Sequence, residues 1–298
     1  MDAKIENLYG LCVEITSHCN YRCVSCPSVD LLRGRGHMAD DLFLKIFREI
    51  GDTISSVALW NYGEPLMHPN IDQLLPEISD CVCRKKLSTS GYHLEDYADL
   101  SFLGSLDELI VSINGLDETT YRRHQVGGDL KKVLRGIERL PEVPDGVQLT
   151  LQVVANRYNI GQIPQFRDFG RRYHFDKLVV KSFNVMDYDR KTFRDFVPTA
   201  RDYSRYDSES MTMVPTDLTR VMCRGGMVIG WDGQAYPCCF DYRGECVLGD
   251  VREDGVLGVW HSEEAKAARA SVQRGELLGI CRTDCSCTRA LMEESLHD

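Results

Sequence analysis

Short apolar, β-prone runs alternate with longer amphipathic stretches over residues 1 to about 182, the pattern of successive parallel βα units. Six runs read as strands: Leu11 to Ile15, Val57 to Trp60, Lys86 to Thr89, Glu108 to Ile113, Gln148 to Val154 and Lys177 to Lys181. Between them, Asp40 to Ile50 places Leu42, Ile46, Phe47 and Ile50 at helical spacing, and Leu130 to Leu140 behaves likewise. Six units without a seventh and eighth predict an α/β fold built as an open, partial (β/α)6 barrel. Functional residues are expected at the C-terminal ends of its strands.

Residues 183 to 222 break this rhythm. They are rich in Asp, Arg and Tyr, carry Pro198 and Pro215, and read as a connecting segment. From Cys223 to the end at residue 298 the composition changes to Gly-rich turns, a late helix at Glu263 to Gln273, and seven of the thirteen cysteines. This predicts a small, metal-stapled domain over 223–298.

A formal charge of −10 disfavours nucleic acid or an anionic membrane as the main partner and accommodates a cationic or neutral substrate more easily. The N-terminus shows no signal-peptide pattern and no apolar run approaches a membrane span, so the expected location is cytoplasmic. In a reducing compartment, clustered cysteines point to metal or redox chemistry rather than to disulfides.

The segment TSHCNYRCVSCPS follows the first strand and puts Cys19, Cys23 and Cys26 on one strand-end loop. Three thiolates suit a four-iron cluster that keeps one iron open for a substrate. Zinc is the competing reading, although structural zinc sites take four ligands. The C-x3-C-x2-C motif after the first of six βα units resembles the radical S-adenosylmethionine superfamily. The resemblance implies a [4Fe-4S] cluster that chelates S-adenosylmethionine and generates a 5'-deoxyadenosyl radical. Ser25 stands where that family often has an aromatic residue near the adenine.

Other strand ends support the resemblance. Asn61-Tyr62-Gly63-Glu64-Pro65 resembles the family's GGE motif with Tyr62 in place of the first glycine. Gly63 allows close backbone approach to a ligand and Glu64 can pair with an amino group. Ser88, Ser112, Asn114 and Gln152 are implied contacts to the ribose or methionine ends, and Lys181 and Ser182 are expected to face the substrate.

Cys223, Gly233 and Cys238 form a C-x9-G-x4-C hairpin pattern, followed far downstream by Cys281, Cys285 and Cys287. This resembles a twitch domain binding one auxiliary [4Fe-4S] cluster. Its implied ligands are Cys223, Cys238, Cys281 and one of Cys285 or Cys287, with zinc again the alternative. Cys12, Cys81 and Cys83 read as small buried apolar residues, and Cys239 as packing beside the cluster. Cys246 matches no ligand position, and a thiol near a radical site can donate a hydrogen atom.

The organisation resembles radical enzymes that process aminoglycosides. Cys246 favours epimerisation of an aminoglycoside stereocentre; the alternative is a dehydrogenase oxidising an aminosugar or aminocyclitol alcohol to a ketone through the auxiliary cluster. A cationic sugar substrate and a reductant such as flavodoxin or ferredoxin are implied. Asp187, Asp189, Asp241 and Glu245 are candidate partners for its ammonium groups.

Overall fold

A computed structural model describes residues 8–31, 33–51, 53–185, 189–207, 209–211, 225–274, 276 and 290–297. The first half contains β1 (Gly10–Val13), α1 (Asp40–Ile50), β2 (Ser56–Leu59), α2 (Ile71–Glu77), β3 (Arg84–Thr89), β4 (Glu108–Ser112), α3 (Glu118–His124) and α4 (Leu130–Ile137). The second contains β5 (Gln148–Ala155), α5 (Ile163–Arg172), β6 (Lys177–Ser182), α6 (Arg190–Phe196), β7 (Gly226–Ile229), β8 (Gln234–Tyr236), β9 (Gly249–Asp250), α7 (Val251–Trp260), α8 (Glu263–Gln273) and β10 (Ala290–Ser295). All six expected barrel strands form, each within two residues of its sequence-based bounds. The chain divides into two compact units, one of residues 1–18, 30–87 and 216–287, the other of 19–29, 88–215 and 288–298.

In the first unit, β1 pairs in parallel with β2, and β2 with β3. The other edge of β1 is covered by β7, also parallel, with Gly10 opposite Gly226 and Val13 opposite Ile229. β8 and β9 continue from β7 in antiparallel fashion, forming the expected hairpin. An uncovered strand edge is a template for unwanted pairing, and β7 removes it from β1.

Helix α1 shows why this unit holds together. Asp40 and Asp41 sit in its first turn and Arg48 in its last, matching the helix dipole, while Leu42, Phe43, Ile46, Phe47 and Ile50 are buried. Gly51, at φ 48°, ends it by returning its N–H to the Phe47 carbonyl. The polar side grips α7: Lys45 Nζ donates to the carbonyls of Val251 (3.0 Å) and Arg252 (2.7 Å). Glu49 accepts the Leu257 N–H at 3.0 Å. Gly255, at φ 70°, kinks α7, and a Cβ there would lie 2.5 Å from the Glu49 carboxylate.

In the second unit β4, β5 and β6 are parallel, and β10 adds antiparallel to β6. The polar stretch after β6 carries its own core. Phe183, Val185, Phe193, Val197 and Tyr206 are buried together, and Phe183 stacks on Phe196 with ring centroids 5.5 Å apart. These apolar residues are too irregularly spaced among Asp and Arg to announce an element in the sequence. Asp189 is spent on α6, accepting the N–H groups of Lys191 and Thr192 as its N-cap.

Candidate functional site

The loop after β1 carries Cys19, Cys23 and Cys26, all half-buried. Its backbone is pinned within the second unit: Arg22 N–H donates to the Val126 carbonyl at 2.9 Å and Val24 N–H to the His124 carbonyl at 3.0 Å. Cys26 N–H closes on the Cys23 carbonyl at 3.0 Å, and Tyr21 N–H points to Cys19 Sγ at 3.4 Å. Donation to sulfur favours the thiolate, the form in which cysteine binds metal. Three thiols on one anchored loop form a soft donor set that fits an iron-sulfur cluster. Among the described residues no three His, Cys, Asp or Glu side chains gather at single-ion distance.

Ser25 lies 2.9 Å from His124 Nε2, and Asn156 Nδ2 lies 3.4 Å from Nδ1. Burial pushes His124 down to about 4, so the ring is neutral at pH 7. Ser25 is therefore a brace for the cysteine loop, a use that its small polar character allows and an aromatic would not.

The expected cofactor contacts of the second unit divide by partner. Ser112 and Gln152 face each other across β4 and β5, and Gln152 Nε2 donates to Ser112 Oγ at 2.9 Å. Asn114 is 4% exposed, and its Oδ1 accepts the Val154 N–H at 2.6 Å. Its own N–H donates to Gln125 Oε1 at 2.8 Å, and its carbonyl accepts from Asn159 at 3.1 Å. These bonds give Asn114 a structural duty that a strand-end position alone does not reveal. Ser88 lies on β3 and is half-buried. Lys181 and Ser182 end β6, where Ser182 Oγ accepts the Arg205 N–H at 2.9 Å.

In the first unit Gly63 and Glu64 follow β2. Glu64 N–H donates to the His18 carbonyl at 2.8 Å, and its buried carboxylate accepts the Leu66 N–H at 3.2 Å, capping a 3-10 turn over Pro65–Met67. A Cβ on Gly63 would sit 1.9 Å from the Thr16 carbonyl oxygen. The close approach that requires glycine here is thus to the chain's own backbone.

Three features of this unit escaped the sequence pattern. Glu14 and Arg33 form a buried ion pair at 2.6 Å; Glu14 Oε2 also accepts the Tyr62 N–H at 3.1 Å. Burial alone would lower the Arg33 pKa, but the hydrogen bond and charge of Glu14 prevail and raise it. Second, the Tyr62 hydroxyl donates to the Cys239 carbonyl, and its ring meets Tyr242 edge-on at 6.2 Å. The residue that departs from the GGE pattern therefore connects the Gly63 turn to the cysteine hairpin. Third, Cys12 is half-buried and its S–H donates to the Trp60 carbonyl at 2.7 Å. Burial first, then the charges of Glu14 and Cys238, push its thiol up. Cys81 and Cys83 likewise face each other, with 2.9 Å between sulfurs.

On the hairpin, Cys238 is half-buried and Cys239 exposed. Cys238 Sγ receives the Phe240 N–H at 3.4 Å, and its carbonyl receives the Asp241 N–H at 3.1 Å. Cys246, half-buried, donates its N–H to Asp241 Oδ2 at 2.8 Å. Asp241, one of the candidate partners for a substrate ammonium, is 4% exposed and bonded to backbone. Glu245 lies 3.8 Å from Arg243. Cys223, Cys281, Cys285, Cys287 and Asp187 lie outside the described residues.

No helix among the described residues is long and apolar enough to cross a membrane. A model of the radical SAM superfamily matches residues 13–168, and a model of the SPASM iron-sulfur cluster-binding domain matches residues 222–287. A probable GTP 3',8-cyclase of Methanococcus maripaludis is 23% identical over 249 residues, covering 76% of this chain and 83% of the relative. The structure of BtrN in complex with AdoMet and 2-DOIA aligns with a TM-score of 0.55 at 16% identity, covering 90% of this chain and 88% of that one. Streptococcus suis SuiB bound to S-adenosylmethionine aligns at 0.66 and 16% identity, covering 89% and 68%. The fold is accordingly α/β, a partial barrel followed by a cluster domain. Its cofactors are a [4Fe-4S] cluster that binds S-adenosylmethionine and an auxiliary iron-sulfur cluster. With its N-terminal match spanning more than half the sequence, the chain belongs to the radical SAM superfamily.

Proposed function

We propose that this enzyme is an epimerase that inverts one carbon stereocentre of an aminoglycoside, of the neomycin C to neomycin B type. Cys19, Cys23 and Cys26 would hold the first cluster; Cys223, Cys238, Cys281 and one of Cys285 or Cys287 would hold the auxiliary one. Gly63, Glu64, Ser88, Ser112, Asn114 and Gln152 would shape the S-adenosylmethionine site. Asn114 would do so through the backbone it fixes.

When bound, the first cluster and S-adenosylmethionine supply the 5'-deoxyadenosyl radical that removes hydrogen from the substrate carbon. Cys246 then returns a hydrogen atom to the opposite face. Its S–H bond breaks as the new C–H bond forms, and one electron and one proton restore the thiol. The electron comes from a reductant of the flavodoxin or ferredoxin class. The observation that carries this reading is the placement of Cys246: a half-buried thiol on the turn that begins at Cys238, linked to that residue through Asp241. The charge of −10 suits a polycationic substrate.

Turnover of neomycin C in deuterium oxide tests it. Epimerisation yields a product one mass unit heavier at the inverted carbon, because the thiol exchanges with solvent. A product lighter by two hydrogens refutes it in favour of oxidation. Cys246→Ala is expected to form 5'-deoxyadenosine and no epimer.

A further inference from the structure

We infer that Asp241 is the positioning residue for Cys246, resting on the proposed role of that thiol. The turn from Cys238 to Cys246 is organised around this one carboxylate. Oδ1 accepts the Glu245 N–H and Oδ2 the Cys246 N–H, each at 2.8 Å. The Asp241 N–H donates to the Cys238 carbonyl at 3.1 Å, and its carbonyl accepts the Gly244 N–H at 3.2 Å. Gly244 adopts φ 69°, where a Cβ would press on the Tyr236 ring at 3.3 Å, so the chain reverses at a residue suited to do so.

The chemistry of the side chain is specific. An ionised Asp is an acceptor only, so its two oxygens satisfy two adjacent amides at once. Bonds to a charged acceptor are the stronger kind, and burial at 4% exposure keeps water from competing for them. The Cys246 backbone is thereby fixed relative to Cys238. A hydrogen donor must meet a substrate radical on one face, and transfer falls steeply when the donor drifts by an ångström. Asn in place of Asp keeps one acceptor and turns the other oxygen into a donor facing an N–H, so one of the two amides is released.

The test compares Asp241→Asn, Cys246→Ala and wild type as reconstituted holoenzymes. With neomycin C, Asp241→Asn is expected to form 5'-deoxyadenosine close to the wild-type rate, while epimer formed per deoxyadenosine falls about tenfold or more. A second measurement needs no substrate: alkylation of Cys246 by iodoacetamide, followed by peptide mass mapping, is expected to quicken severalfold in Asp241→Asn. Cys83, 2% exposed, is expected to keep its rate, and iron and sulfide content to stay at wild-type levels. An unchanged epimer ratio or an unchanged Cys246 alkylation rate overturns the inference. Loss of iron, or faster alkylation of Cys83, overturns it too, by showing that Asp241 holds the domain rather than the thiol. If wild type leaves neomycin C unchanged, or Cys246→Ala still epimerises, the proposed function fails instead. The alkylation result then decides the positioning claim by itself.

Discussion

Replacing Gly63 by alanine introduces one methyl group where the backbone of the β1-end loop already stands. The added Cβ would lie 1.9 Å from the Thr16 carbonyl oxygen, 2.6 Å from its carbon and 3.0 Å from Ser17 Cα. An ordinary C···O contact is about 3.3 Å, so the two segments must separate by more than an ångström. Neither neighbour is a flexible side chain that can swing aside. The separation strains or breaks the Glu64 N–H to His18 carbonyl bond, now 2.8 Å, worth about 1 kcal/mol. Overpacking adds about 1–3 kcal/mol. Together these lower the melting temperature by about 3–6 °C, and S-adenosylmethionine binding is expected to weaken because Gly63 and Glu64 are proposed to shape its site. Gly161→Ala is the control, since nothing lies within 4 Å of its added methyl and its φ is not in the left-handed region. Thermal unfolding by circular dichroism and equilibrium dialysis with S-adenosylmethionine measure both effects. A Gly63→Ala enzyme that melts with wild type and binds S-adenosylmethionine equally well refutes the reasoning.

Two further outcomes follow from the buried groups. Glu14→Ala leaves the Arg33 guanidinium, whose side chain is 6% exposed, without the carboxylate it pairs with and with only the weaker charge interaction of Asp232; urea unfolding is expected to show a loss of about 3 kcal/mol, and a loss below about 1 kcal/mol contradicts it. His124 titrates near 4 in the folded chain against an ordinary 6.5, so between those values the unfolded chain binds a proton that the folded one refuses. Its stabilising contribution is complete above pH 6.5 and is lost as pH falls towards 4. The loss totals about 3 kcal/mol. In iron-free protein, the urea midpoint of wild type should therefore fall more between pH 7 and pH 5 than that of His124→Gln, and parallel pH dependences would disprove it.

Legibility from sequence followed the range of the interaction. The six strands, α1 and α8 declare themselves through local periodicity, and the cysteine loop through spacing on a strand end. The β7 hairpin was visible as C-x9-G-x4-C, but not its parallel seat on β1, because pairing between distant segments leaves no local mark. The same holds for single polar residues. Asp241 and Asp189 read alike as acidic side chains, yet one binds two amides inside a turn and the other caps a helix. Tyr62 was visible only as a departure from a motif; its role needed the Cys239 carbonyl to be seen beside its hydroxyl.

The seat of β7 on β1 also bears on how the protein is made. Roughly 200 residues separate β1, at Gly10–Val13, from the strand that covers its edge, at Gly226–Ile229. A ribosome adding about 5–20 residues per second leaves that edge open for about 10–40 s. During this interval the nascent chain offers unpaired backbone groups to any neighbouring strand. Slow translation lengthens the exposure, whereas truncation ahead of Gly226 makes it permanent. Chains cut back to the barrel alone are accordingly expected to be recovered as aggregates.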